Sequence, residues 1–170
     1  WSLDGRRLVF TAQFGASNHL LVYDLQTGQV ARLKIGAGIH HTPRWTPDGQ
    51  AIDLVFESPQ TPPNAWRMHL DGRASPLFPT GSPDLVLEQL VTPQEITYPG
   101  LDGRQVPALL YQPRQLKKSK PAVIYLHGGP NWLAQIEWMP FIQHLLSRGS
   151  IPDTPPRCTN HRDSAHQPIA

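Results

Sequence analysis

Trp45-Thr46-Pro47-Asp48-Gly49-Gln50-Ala51-Ile52-Asp53-Leu54-Val55-Phe56 restates the start of the chain, Trp1-Ser2-Leu3-Asp4-Gly5-Arg6-Arg7-Leu8-Val9-Phe10, with a short insertion. The likeness continues. Leu21 to Gly28, followed by Val30 to Leu33, matches Ala65 to Gly72, followed by Ala74 to Leu77. Short strands and Asp-Gly or Thr-Gly turns, repeated at a period in the forties, are the mark of β-propeller blades. Asp4-Gly5, Asp48-Gly49 and Asp71-Gly72 read as hairpin-type turns, because glycine tolerates the left-handed backbone. Pro47 presets the first central residue of its turn. The runs Leu8 to Ala12, Leu20 to Leu25 and Leu54 to Glu57 are strand-like. Trp1 and Trp45 are expected to pack between neighbouring blades. The alternative is a β-sandwich with these tryptophans as ordinary core aromatics, and the period favours blades. Two blades leave edges open and cannot close a ring. Residues 1–84 therefore read as the last two blades of a larger propeller.

After Leu85 the pattern changes. Val91 to Tyr98 and Val106 to Tyr111 flank an Asp102-Gly103 turn and predict a hairpin that opens a new sheet. A polar loop from Pro113 to Lys120 follows. The apolar run Ala122 to Leu126 then reads as a strand buried on both faces. It ends in His127-Gly128-Gly129-Pro130, where two glycines free the backbone to turn sharply and to approach a ligand closely. Beyond it Ile136, Met139, Ile142, Leu145 and Leu146 recur at helical spacing. Pro140 fits only a first turn and Gly149 fits a C-terminal cap, so a helix is predicted over about Glu137 to Arg148.

A strand running into an HGG loop is how serine hydrolases of the α/β type build half of an oxyanion hole. The order here is propeller-like repeats, "PQEITYPGLDGRQVPALLYQP" (Pro93 to Pro113), "KPAVIYLHGGP" (Lys120 to Pro130), and an amphipathic stretch ending "LLSRG" (Leu145 to Gly149). It resembles the prolyl oligopeptidase family of serine peptidases, and within it the acylaminoacyl-peptidase and dipeptidyl-peptidase-like members. The resemblance implies a β-propeller that gates access, joined to an α/β-hydrolase domain that starts at about residue 85 and runs here to 149. It implies a Ser-Asp-His triad, a covalent acyl-enzyme, short peptide substrates, and no cofactor or metal. It places Gly128 and Gly129 at the oxyanion hole, with His127 and Pro130 supporting the loop. His127 is expected to be structural, its side chain turned into the sheet.

The chain then leaves the family pattern. Residues 150–170 hold several prolines and few apolar residues, and are expected to be an unstructured, non-family tail unable to form the next buried strand. No G-x-S-x-G occurs anywhere. Gly15-Ala16-Ser17-Asn18-His19 comes nearest, but it lies in a blade loop and lacks the closing glycine. The triad is expected to be missing altogether, since its Asp and His follow the nucleophile. Asp163 and Ser164, with His161 or His166, could mimic one, but a triad needs rigid positioning. Cys158, His161 and His166 lack a fourth ligand for a structural zinc. His40 and His41 are expected to be an exposed loop pair.

The sequence has 170 residues and a net charge of +2, which gives no bulk attraction to nucleic acid or an anionic membrane. Lys117, Lys118 and Lys120 read as a solvated loop. No apolar run approaches the roughly 18 residues of a membrane span. Cys158 is the only cysteine, so no internal disulfide can form, which suits a reducing, cytoplasmic compartment. Trp1 already sits inside a strand-and-turn pattern, which reads as a cut through a longer protein. The expectation is a catalytically silent piece of a peptidase. The alternatives are a non-catalytic propeller module used for binding and a piece of an HGG-type esterase.

Overall fold

The computed structural model describes residues 1–79, 89–114, 122–129, 132–148 and 151–154. These are mostly antiparallel sheets with little helix. β1 (Arg7–Phe14), β2 (Ser17–Asp24) and β3 (Val30–Leu33) form one antiparallel sheet in that order. β4 (Ile39–Trp45), β5 (Ala51–Ser58), β6 (Thr61–His69) and β7 (Ala74–Pro76) form a second. The sequence repeat maps strand for strand, β1 to β3 onto β5 to β7, as consecutive propeller blades would.

The repeated turns are built alike at the level of single bonds. Before β1, Ser2 Oγ donates to Asp4 Oδ1 at 2.6 Å and accepts from the Arg7 N–H at 2.9 Å. Between β4 and β5, Thr46 Oγ1 donates to Asp48 Oδ1 at 2.5 Å and accepts from the Ala51 N–H at 3.0 Å. Gly5 and Gly49 hold φ of +69° and +67°, where a side chain would be strained. In each turn the hydroxyl bond is the foremost cause holding the aspartate below the usual carboxylate range. Trp1 departs from the expected packing: it is 73% exposed, whereas Trp45 packs on the core. The repeated position meets a neighbouring sheet only in its second occurrence.

That core lies between the two sheets. Alternate residues of β2 and β5 face inward, and Leu20, Val22 and Leu33 meet Ile52, Leu54, Phe56 and Met68. Above it runs a polar stitch. Asn18 Oδ1 accepts from the His40 N–H at 2.7 Å, and Asn18 Nδ2 donates to the His40 carbonyl at 3.0 Å. His40 is 1% exposed, which corrects the expected exposed His40–His41 pair. It lies in β4 because Asn18 satisfies its backbone and because its ring packs on Phe56 at 4.9 Å. Burial pushes its imidazole down to about 4. His41 is half-exposed beside a bulge in β4 where Thr42 takes φ +45°.

The third sheet is mixed. Its order is β10 (Ala122–Ile124), β11 (Ile151–Thr154), β9 (Gln105–Leu110) and β8 (Gln94–Pro99). β11 pairs parallel with β10 and antiparallel with β9. Two expectations are corrected. Ile151–Thr154 is a strand and not unstructured tail: the facing backbones of β9 and β10 offer it two edges, and these outweigh the ladder bond that Pro152 cannot donate. The run from Ala122 is not buried on both faces, since β10 is three residues long, lies at the sheet's edge, and leaves Ile124 and Leu126 64% and 67% exposed. The rest of residues 150–170 lies outside the described residues.

α1 (Pro140–Ser147) starts three residues later than predicted, with Pro140 in its first turn and Met139 already non-helical at φ −124°. Its cap falls at Arg148, while Gly149 lies outside the described residues. Ile142 and Leu146 pack with Leu109, Tyr111, Ile136 and Ala16 of the β1–β2 turn. Gln143, 8% exposed in this apolar stripe, bridges three backbone groups of two residues. It accepts from the Val91 N–H at 2.9 Å and donates to the Pro59 and Val91 carbonyls at 3.1 and 2.8 Å. The Ile136 N–H donates to the Ala16 carbonyl at 2.8 Å and the Trp138 N–H to Glu57 Oε2 at 2.9 Å. These bonds join the third sheet and α1 to the first two sheets.

Two outcomes follow. Thr46→Val leaves the Ala51 N–H and Asp48 without their hydroxyl partner and should cost about 1–3 kcal/mol in chemical denaturation. His40 titrates near its ordinary 6.5 when unfolded and at about 4 when folded. Between these values the unfolded chain binds the proton that the folded chain refuses. Stability is therefore complete above the upper value and is lost as pH falls toward the lower, on the order of 3 kcal/mol in all. His40→Gln should flatten that part of a stability–pH curve.

Candidate functional site

The chain leaves β10 at Ile124 and passes through Tyr125, Leu126 and His127 to the glycine pair. Gly129 holds φ +68°, the left-handed turn for which the sequence reading invoked a glycine. A Cβ there would come 3.2 Å from Trp132 Cδ1. At Gly128 a Cβ would meet nothing within 4 Å, so this stretch of backbone is open to close approach. His127 Nδ1 lies 3.3 Å from the Gly128 carbonyl oxygen, a contact within the loop itself. Pro130, expected to support the loop, lies outside the described residues.

Beside the loop is a cleft of about 80 Å³. His127, Gly128 and Trp132 line it, together with Tyr111 at the end of β9 and Glu137 and Met139 ahead of α1. A larger apolar cavity of about 290 Å³ shares Leu109 and Leu133 with it and reaches the β1–β2 turn at Gly15 and Ala16. Tyr111 is 2% exposed, and burial raises its phenol well above the ordinary range. The Glu137 carboxyl is raised too, first by burial and then by the charge of Glu57, with His41 opposing. The cleft thus offers a bare glycine backbone, an imidazole, a neutral phenol and a carboxyl reluctant to ionise. No serine, threonine or cysteine is among its described lining residues. Among the described residues no three His, Cys, Asp or Glu side chains are grouped to hold a metal ion. Among them, too, no helix is long and apolar enough to cross a membrane.

The structure places His127 and Gly128 in the lining of this cleft, with Gly129 next along the chain. Ser17, nearest to an elbow serine by motif, opens β2. Asp163, Ser164, Cys158, His161 and His166 lie outside the described residues. The sequence reading missed Tyr111, Glu57 and Glu137. Tyr111 closes a strand-like run and reads there as plain core. Glu57 and Glu137 are far apart in sequence, and only the packing of α1's approach against β5 brings them near one another.

No family model matches the chain. It is 29% identical over 167 residues to the acylamino-acid-releasing enzyme of Sus scrofa, covering 88% of the chain and 22% of that enzyme. A shorter match, 35% identical over 77 residues, is to the Tol-Pal system protein TolB of Francisella tularensis, covering 44% of the chain and 17% of TolB. A puromycin hydrolase superposes with a TM-score of 0.75 at 21% identity, over 90% of this chain and 24% of its own. A puromycin-hydrolysing peptidase of Mycobacterium tuberculosis gives 0.73 at 23%, over 91% and 25%. A structure from a study of two prolyl endopeptidases gives 0.74 at 21%, over 89% and 23%. The chain spans about a fifth to a quarter of the length of most of the proteins it matches, and less of TolB. The resemblance to the prolyl oligopeptidase family holds in fold and, in part, in sequence.

The loop geometry makes a paired prediction. Gly129→Ala must hold a side chain at positive φ against Trp132, at a cost of about 1–2 kcal/mol. Gly128→Ala, with open space around it, should be close to neutral. Urea denaturation of both variants checks the contrast.

Proposed function

We propose that this chain is a section of a serine peptidase of the prolyl oligopeptidase family. In this reading residues 1–84 are the last two propeller blades. Residues 85–149 open the α/β-hydrolase domain, and β11 extends its sheet. The whole enzyme hydrolyses short peptide or acyl-peptide bonds through an acyl-enzyme, with no cofactor, and a reducing cytoplasmic compartment suits the single cysteine of this chain. The observation that carries the reading is the loop after β10. A parallel-paired strand runs into a glycine pair that turns at positive φ beside a cleft, within a fold that superposes on peptidases of this kind.

The chemistry asks for three things. A serine hydroxyl attacks the acyl carbon, a histidine takes its proton, and backbone N–H groups hold the oxygen that becomes negative. Gly128 and Gly129 serve the third role, as one arm of the oxyanion hole. His127, bonded within the loop, and Pro130 keep that arm in place. The sequence supplies no elbow serine and no triad Asp or His after it, so the chain by itself is catalytically silent. Donors without an attacker bind charge but form no acyl intermediate.

A second reading is a non-catalytic blade module used for binding. The strand-for-strand repeat of β1 to β3 in β5 to β7 favours it over the esterase alternative. The two readings part on reactivity with the rest of the enzyme restored. The purified chain should show no labelling by a fluorophosphonate probe, and joined to the missing part of a relative it should label at one serine. Labelling of the chain alone contradicts its silence, and absence of labelling in the restored protein favours the binding module.

A further inference from the structure

We propose that the cavity between the β1–β2 turn and the β8–β9 hairpin is a binding site for a small apolar molecule carrying one primary ammonium group, with Glu95 as its counter-charge. The cavity measures about 290 Å³. That exceeds ordinary packing voids, which seldom hold more than a water molecule, and approaches the smallest small-molecule sites. Its walls come from three parts of the chain. The register of the β8–β9 hairpin sets Glu95 opposite Leu109 and Thr97 opposite Pro107, so these four share one face of the third sheet. Ala16 closes the side toward the β1–β2 turn, and Leu133-Ala134 closes the side toward α1. Small side chains at Ala16, Ala108 and Ala134 leave room that larger ones would fill. The walls are also pinned to one another. Just beyond Ala134, Gln135 Nε2 donates to Gln13 Oε1 at 2.9 Å and the Ile136 N–H donates to the Ala16 carbonyl at 2.8 Å. A site braced in this way is shaped before a ligand arrives, which lowers the cost of binding.

Glu95 is the single charged residue among the described residues of the lining. Among the described residues no cation and no donor engages its carboxylate. The carboxylate lies against the turn at Gly15, where a Cβ would come 3.2 Å from Glu95 Oε2. Bare glycine backbone at φ +60° is what lets the charge sit at that lip. Two acceptor oxygens at the edge of an otherwise apolar wall select the ligand by charge. An ammonium group gains a charge-assisted bond there, and the apolar wall beside it weakens the screening that water would impose. A neutral molecule of the same shape gains only the apolar contact, and an anion is repelled. The cavity shares Leu109 and Leu133 with the cleft beside the glycine pair, but neither His127 nor Gly128 is among its described lining residues. The inference therefore goes beyond the peptidase reading and does not depend on it.

Calorimetric titration and NMR of the full chain with three probes of similar shape test it: phenethylammonium chloride, phenethyl alcohol and sodium phenylacetate. The ammonium probe should bind about tenfold or more tightly than the alcohol, the difference expected for one hydrogen bond to a charged group. It should shift the methyl signals of Ala16 and Ala134, and phenylacetate should bind weakest. Glu95 is exposed, so Glu95→Gln should leave the fold intact. In that variant the ammonium probe and the alcohol should bind equally, with the alcohol's affinity unchanged. Equal affinity of the three probes for the unaltered chain would show an apolar hollow without charge selection and overturns the site. So does a failure of the ammonium probe to bind at millimolar concentration. Methyl shifts confined to other parts of the chain, or a preference for the ammonium probe that survives Glu95→Gln, reject it as well.

Discussion

A buried amide and a buried imidazole face one another between the first two sheets, and the arrangement of those sheets depends on their being satisfied. Asn18 and His40 exchange backbone and side-chain hydrogen bonds at 2.7 and 3.0 Å. Left unpaired at this depth, either group would cost on the order of 1–3 kcal/mol. Apolar contact between Leu20, Val22, Ile52 and Phe56 brings the sheets together, but such contact is non-directional and would tolerate sliding. The polar pair does not. Gly38 reinforces it: a Cβ there would stand 2.2 Å from the Glu57 carbonyl and 2.8 Å from the Phe56 ring. Main chains approach at that point as closely as glycine permits.

The second junction follows a different principle. The third sheet and α1 meet the first two sheets through a small apolar cluster around Tyr111 and Leu109 and through directional bonds converging on a few backbones. Gln143 alone satisfies Val91 and Pro59. Ala16, at the β1–β2 turn, contributes both a buried methyl and a carbonyl acceptor. Bonds of this kind are directional and fix the orientation of the third sheet and α1 against the first two sheets.

The repeated antiparallel strands and turns of the first two sheets were legible in the sequence because their information is local. Ser2 and Asp4, or Thr46 and Asp48, close a turn within a few residues of themselves, so the repeat in residues is also a repeat in bonds. The glycine pair was legible for the same reason, since Gly129 needs its positive φ whatever surrounds it. What failed was non-local. His40 reads as a loop residue until Asn18 is placed opposite it. Ala122 to Leu126 reads as doubly buried from its composition alone, whereas burial depends on what covers it. Ile151–Thr154 reads as tail because its residues suit no strand, but pairing is decided by the backbones on either side. Glu57 and Glu137 carry no shared motif, and only tertiary packing makes neighbours of them.

The mixed sheet also has a consequence for synthesis. Of its two inner strands, β11 follows the other three strands of the sheet in sequence. Ala122 pairs with Ile151 and Leu110 with Asp153, while Phe14 finds Ser17 across a single turn. As the polypeptide emerges from the ribosome, the hairpins of the first two sheets can close at once. β9 and β10 must wait with open edges until the chain has lengthened past Thr154. In that interval Ile124 and Leu126 are available to any passing strand. Slow elongation over residues 125–150 would prolong the wait.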